Sequence, residues 1–161
     1  MRSSILRRLA FLAMVPAALF GIVVVATPAE AAATSWQTLQ ADIVTWTNHQ
    51  RTRHGCRALS VDAKLVRASR DHSAWMARTG TFSHVGNGGS TFDARIRSAG
   101  YTQPAAENIA WGYRSGADVV NAWMKSPGHR ANILNCQVTK FGVGAVYASN
   151  GNPYYTQEFG Y

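Results

Sequence analysis

Cysteine is almost missing from this chain: 161 residues hold two, Cys56 and Cys136. An even pair in an exported chain defaults to a disulfide. Here it would close a loop of about 80 residues, worth roughly 4.5 kcal/mol in the chain-entropy model. A catalytic cysteine needs an unpaired thiol, and the even count argues against one. Acidic residues are scarce too, eight against sixteen lysines and arginines. The basic residues are scattered and no nucleic-acid motif accompanies them, so no specific nucleic-acid partner is expected. The glycines from Gly86 miss G-x-G-x-x-G because Thr91 holds the third position, which argues against a dinucleotide site. No G-x-S-x-G nucleophile elbow occurs. Beyond the first thirty or so residues there is no repeat, linker or low-complexity segment, and no run apolar enough to span a bilayer.

One long apolar run is present, and it lies at the start. Arg2, Arg7 and Arg8 precede a stretch from Leu9 to Ala26 broken only by Pro16 and Gly21. Ala29-Glu30-Ala31 and Ala31-Ala32-Ala33 both fit an A-x-A cleavage site. Residues 1–33 therefore read as a signal peptide, cleaved after Ala31 or Ala33, and residues 34–161 as one secreted domain. A retained membrane anchor is the competing reading; the small residues and proline past the run favour cleavage. Those residues carry three arginines and one glutamate, so cleavage lowers the formal charge from +8 to +6. A basic extracellular domain is drawn to anionic surfaces such as cell-wall polymers or acidic lipids.

The mature chain reads as helices placed before, between and among about three strands. Thr34-x-x-Gln37 is a capping box, and Trp36, Leu39, Ile43 and Trp46 follow at helical spacing. Asn48 and Arg51 read as its polar last turn. Asp62 opens a second helix that Gly80 closes. Lys64, Arg67, Asp71 and Arg78 form its solvated face, with Arg67 and Asp71 paired at i,i+4. His72 lies on its apolar stripe and reads as a satisfied core histidine. A loop with His84 leads to Ser90, the expected cap of a short helix over Thr91 to Ala99. Glu107 to Tyr113 predicts a strand, and a helix over 116–126 follows. Lys140 to Ser149 and Asn152 to Tyr161 predict a hairpin around Asn150-Gly151. Gly142 and Gly144 share a strand face that a helix or a ligand groove must approach closely. A small, mostly antiparallel sheet with helices on both faces, an α+β fold in an α-β-α sandwich, buries such elements.

Two places carry chemistry. At period two, Glu107 shares a face with Ile109, Trp111 and Tyr113. If that face is buried, the carboxylate needs hydrogen bonds, a cation or a raised pKa; otherwise Glu107 precedes the strand and points to water. The stretch from Trp123 to Leu134 holds a helix stop near Ser126 and a restart at Pro127, with Ser126 as N-cap. That puts His129 in a first helical turn, where the dipole disfavours a charged imidazole.

Five motifs in order resemble the CAP superfamily, the SCP domain named for cysteine-rich secretory proteins, antigen 5 and plant pathogenesis-related 1 proteins. They are Asn48-x-x-Arg51, Phe82-Ser83-His84, Glu107-Asn108-Ile109-Ala110, the Trp123 to Leu134 stretch, and Phe141-Gly-Val-Gly followed by Tyr154-Tyr-Thr-Gln-Glu-Phe-Gly. The resemblance runs from about Trp36 to Tyr161, and the short SPGHRANIL form is similar to bacterial secreted members. It implies an α-β-α sandwich with a cleft that, in animal and plant members, carries two histidines and two glutamates able to hold a divalent metal such as zinc. By position the histidines are His84 and His129 and the first glutamate is Glu107. Ser126 stands where the second glutamate falls, and a hydroxyl replaces a carboxylate neither as a base nor as a counter-charge to zinc.

No general enzymatic activity follows from such a fold. The favoured reading is an extracellular binding module whose cleft, lined by His84, Glu107, Ser126 and His129, takes a lipid, cell-wall or other small ligand, with a weakly held metal. The alternative is a zinc-dependent hydrolase with His84 and His129 as ligands and Glu107 as general base. A serine hydrolase using Ser126 and His129 ranks last, since capping explains the serine better.

Overall fold

In the computed structural model, which describes residues 34–161, a four-stranded sheet separates two layers of helices. The strands are β1 (Ser60–Val61), β2 (Pro104–Trp111), β3 (Lys140–Tyr147) and β4 (Pro153–Gly160), in the order β1-β3-β4-β2. β1 runs parallel to β3, and the other pairings are antiparallel. The helices are α1 (Trp36–Arg53), α2 (Ala63–Thr79), α3 (Phe92–Ser98), α4 (Gly116–Lys125) and α5 (Pro127–Ile133). This is the expected α-β-α sandwich with a mostly antiparallel sheet, the short β1–β3 pairing being the parallel one. The two-residue β1 is too short to show a period and went unexpected. The signal peptide and its cleavage site lie outside the described residues.

One sheet face packs against α1, α4 and α5 through Leu39, Ile43, Val120, Trp123, Phe141, Tyr155 and their neighbours, the largest apolar core of the domain. Arg51 fastens this side. It is fully buried, not a polar last turn at the surface. Its guanidinium donates to the carbonyls of Arg57 (2.9 Å), Ile133 (2.6 Å), Asn135 (2.8 Å) and Val138 (3.2 Å). One side chain thereby satisfies the end of α5 and the turn after it, where helix carbonyls lack partners. Burial lowers its pKa, yet a guanidinium so far above neutrality stays charged. Asn48, one turn earlier, clamps both the N–H and the carbonyl of Leu59. The Cys56–Cys136 disulfide ties the same two regions together.

The opposite face packs against α2. Gly142 and Gly144 are glycines because α2 lies directly on them. A Cβ on Gly142 would stand 2.1 Å from the Leu65 carbonyl carbon, and one on Gly144 2.4 Å from that of Ser69. At that distance helix hydroxyls reach the sheet backbone: Ser69 donates to the Gly142 carbonyl and Ser73 to that of Gly144. Of the two partners the glycine pattern allowed, the helix is the one present.

Several local expectations shift. Ser35, not Thr34, caps α1, its hydroxyl accepting from the Thr38 N–H. Thr91, not Ser90, is the N-cap residue of α3. Arg67 and Asp71 form no ion pair; Arg67 donates to the Ala99 carbonyl at 2.6 Å, because α3 brings it a better-placed acceptor than the solvated carboxylate. β2 ends at Trp111, and Gly112 then turns the chain with φ +83°, so Tyr113 is not in register with Glu107. The Asn150-Gly151 hairpin closes with residues 148–152 in the turn, Gly151 at φ +77°. Asp62 and Gly80 bound α2 as expected.

Candidate functional site

β2 is an edge strand, and the site is built along it. Its alternation puts Glu107, Ile109 and Trp111 on the α2 face, paired across to Glu158, Thr156 and Tyr154 of β4. Asn108, on the other face, belongs to a buried polar chain. Asn132 of α5 donates to the Asn108 side-chain oxygen (2.9 Å) and to the Glu107 carbonyl (3.2 Å). Asn108 donates in turn to the His129 carbonyl and to the Gln157 side chain, and Gln157 to Thr47. This chain holds α5, and with it His129, at a set height over the strand.

Glu107 is buried, so the inward face is the one it occupies. His84 Nδ1 bonds to its Oε1 at 2.7 Å, and Arg95 Nη2 donates to its Oε2 at 2.5 Å. His72 Nε2 lies 3.8 Å from Oε2 but donates to the Ser83 carbonyl at 2.9 Å. Glu158 is fully buried beside Glu107, its Oε1 4.0 Å from Arg95. Two neighbouring carboxyls cannot both ionise away from water with one cation between them. Burial pushes Glu107 up, but the His84 hydrogen bond and the Arg95 charge hold it below the usual range. Burial pushes Glu158 well up, and the Glu107 charge adds to the rise. Glu107 is therefore the ionised member and Glu158 carries a proton. One cation, one anion and one neutral acid close the cluster without net charge.

His84 stands at the surface end of this cluster, its side chain 54% exposed. With Nδ1 on Glu107, it presents Nε2 outward. His129 lies near enough to sense it: burial, then the His84 charge, lowers the His129 pKa. A neutral imidazole was expected there from the helix end; burial is the larger cause. Ser126 is the N-cap residue of α5, yet its hydroxyl makes no capping bond, nor any to His129 among the described residues. Both line a cleft of about 290 Å³ over the β2 edge, together with Phe82, Ile109, Trp111 and Trp123. The rim is aromatic: Phe82 is 47% exposed, Trp111 50% and Tyr113 38%.

The structure thus gathers His84, Glu107, Ser126 and His129 at one edge, in two tiers: Ser126 and His129 line the cleft, and Glu107 lies beneath His84. Three members were not picked out from sequence. His72 read as core, and its contact with Ser83 is of that kind. Arg95 looks like any basic residue on a short exposed helix. Glu158 had one signal, a charge inside a strand otherwise fit for burial on both faces, but only the β2–β4 register sets it against Glu107.

A catalytic zinc site takes three protein ligands and leaves one position open. Among the described residues no three His, Cys, Asp or Glu side chains are placed to share an ion. Both Glu107 oxygens are engaged, one by His84 and one by Arg95. Two histidines remain, and this donor set does not fit such a site.

The chain is similar to several known proteins. YkwD, an uncharacterized protein of Bacillus subtilis, is 40% identical over 119 residues, 73% of this chain and 45% of its own length. An uncharacterized membrane protein of the same organism, YlbC, is 34% identical over 76% of this chain and 34% of its own. The chain spans less than half the length of these curated relatives. A crystal structure of an extracellular SCP-domain protein from Bacillus anthracis is similar at 30% identity and a TM-score of 0.69, covering 77% of this chain and 40% of that one. An outer surface protein of Borrelia burgdorferi shares the fold at 22% identity and a TM-score of 0.67, over 73% and 88%. The family model for CAP, the cysteine-rich secretory protein family, matches residues 44–159, a span that takes in the Arg51 clamp, the Glu107 cluster and the four strands but for the last residue of β4, and the chain belongs to that family.

Proposed function

We propose that the protein is a secreted binding module whose ligand lies in the cleft over the outer edge of β2. The observation that carries this reading is the exposed aromatic rim of Phe82, Trp111 and Tyr113 beside polar groups already fixed in place. Exposed aromatic surface around a concavity is costly unless something covers it. His84, held by Glu107, and His129, held over Asn108, offer nitrogen atoms at preset positions next to that apolar wall. Such a site suits a lipid, a cell-wall fragment or another small ligand with one apolar and one polar face. Secretion is supported by the signal-like start of the chain and by its extracellular Bacillus anthracis relative. No helix among the described residues is long and apolar enough to cross a membrane. The zinc-hydrolase alternative has less support, because Glu107 is buried with both oxygens bonded and cannot serve a metal-bound water. Intrinsic fluorescence titration with two probes, lauric acid and soluble muropeptides, tests the proposal. One probe should give a saturable change, weakened about tenfold or more in Trp111→Ala. Saturation by neither probe, or wild-type affinity in that variant, refutes it.

A further inference from the structure

β2 is the last strand of the sheet, and the second half of its outer edge is open. The Gly112 N–H donates to the Pro153 carbonyl at 2.8 Å, which continues the β2–β4 register. Asn108, Ala110 and Gly112 are therefore the residues whose backbone groups bond β4. In an antiparallel ladder the alternate residues turn theirs away from the partner strand. Those are Glu107, Ile109 and Trp111. Two contacts from outside the ladder agree. Asn132 donates to the Glu107 carbonyl at 3.2 Å, and the Trp123 indole N–H to the Ile109 carbonyl at 3.0 Å. The N–H groups of Ile109 and Trp111 and the carbonyl of Trp111 are left without a partner among the described residues.

Open sheet edges invite pairing, and proteins blunt them. The first half of β2 is blunted. Pro104 has no N–H, the register breaks between Pro104 and Ala106, and Glu107 is a charge pointing inward. The second half has no such device and forms the bed of the cleft. Ile109, Ala110 and Trp111 line it, and so does Trp123, which reaches the outward Ile109 carbonyl. The space of about 290 Å³ between Phe82 and the corner of α4 and α5 admits one extended segment; the same walls keep out the edge of a second folded sheet. No carboxylate lines the cleft. Lys125 and Arg130, both exposed, stand in the chain on either side of Ser126 and His129, and their side chains bond to nothing among the described residues. The charge of this corner is complementary to an anionic ligand.

We infer that the occupant of the cleft is an extended acidic peptide that adds itself as a strand to the open edge of β2. Its backbone bonds to the Trp111 N–H and carbonyl and to the Ile109 N–H, which fixes its course along the strand. Its apolar side chains meet Phe82, Trp111 and Tyr113, and its carboxylates meet Lys125 and Arg130. The inference rests on the cleft reading and names the ligand class for it.

NMR titration of the nitrogen-labelled mature domain with the blocked peptide acetyl-Glu-Val-Phe-Val-Glu-amide tests it. Binding should saturate, with the amide protons of Ile109 and Trp111 moving downfield and exchanging more slowly with water. The same peptide N-methylated at its three central residues keeps side chains and charge but loses backbone N–H groups; it should bind about tenfold or more weakly. So should the peptide with lysine in place of glutamate. The double variant Lys125→Glu, Arg130→Glu should reverse that preference, with melting curves confirming that it is folded. Saturation by lauric acid or muropeptides, lost in Trp111→Ala, with none by the peptide would sink this inference and leave the cleft reading standing. Saturation by no probe would sink both. Unmoved Ile109 and Trp111 amides at saturation, equal binding of the N-methylated or the lysine peptide, or an unreversed preference in the double variant would overturn the inference. So would a concentration-dependent dimer that shifts the same amides without peptide, since the edge would then belong to a second copy.

Discussion

The two faces of the sheet are held by opposite means. On the side of α1, α4 and α5 the interior is large and apolar, and its one charge, Arg51, meets only backbone carbonyls. On the side of α2 and α3 the sheet offers glycines, Thr156 and two glutamates, answered by serines, His72 and Arg95. The first arrangement directs its buried polar groups to backbone carbonyls and to one another, and reaches a candidate ligand cleft only where α4 meets α5, at Ser126 and His129. The second keeps a buried charge cluster that reaches the surface at His84 and unpaired polar atoms at its back. The apolar core is concentrated on one face and the buried charge on the other.

Removing Arg51 should have the largest effect. Arg51→Ala strips partners from four backbone carbonyls and leaves a cavity, so denaturant unfolding should show a loss above about 5 kcal/mol or no folded protein. Arg51→Lys should rescue little, since an ammonium cannot reach four carbonyls spread around a planar fork. A loss below about 2 kcal/mol would mean that the apolar side is not fastened there. Glu107→Gln should cost about 3 kcal/mol, because Arg95 is left buried without its countercharge. It should also free His84, which proton NMR would register as a changed His84 ring signal. An unmoved signal would show that Glu107 does not position that ring. The smallest effect belongs to Glu158→Gln, which keeps shape and neutrality; at pH 5 the change should stay within about 1 kcal/mol. Because the folded Glu158 pKa is raised, its contribution is full below the unfolded value of about 4.3 and is lost as pH rises. The variant should therefore gain on the wild type between pH 5 and pH 8 in thermal melts. Glu107 runs the other way: its pKa is lowered, so its contribution is lost as pH falls through the folded value. A Glu158→Gln variant less stable than the wild type by a constant amount from pH 5 to pH 8 would mean that Glu158, not Glu107, is the ionised partner.

Much of the candidate site was visible in the motifs and little of its wiring. His84, Glu107, Ser126 and His129 could be picked out from sequence because each stands in a short run with its own local signal. What each atom does could not. Arg51 looked like a helix-end cation, since three of its four partners lie 82 to 87 residues away along the chain. Ser126 sits at the N-cap position without making the bond that explained it, because a position follows from backbone geometry and a hydrogen bond follows from rotamer and neighbours.

The chain by itself determined what local physics controls: where α2 starts and stops, at Asp62 and Gly80, where β3 turns into β4, and that a helix or ligand must come close to Gly142 and Gly144. Caps, turns and periodicity depend on a few adjacent residues, so they can be read in place. Tertiary structure alone decided which of two glutamates is charged. Glu107 and Glu158 are the same residue type on similar strands, and they become an ion and a neutral acid only because the β2–β4 register sets them side by side and α3 delivers Arg95 closer to one than to the other.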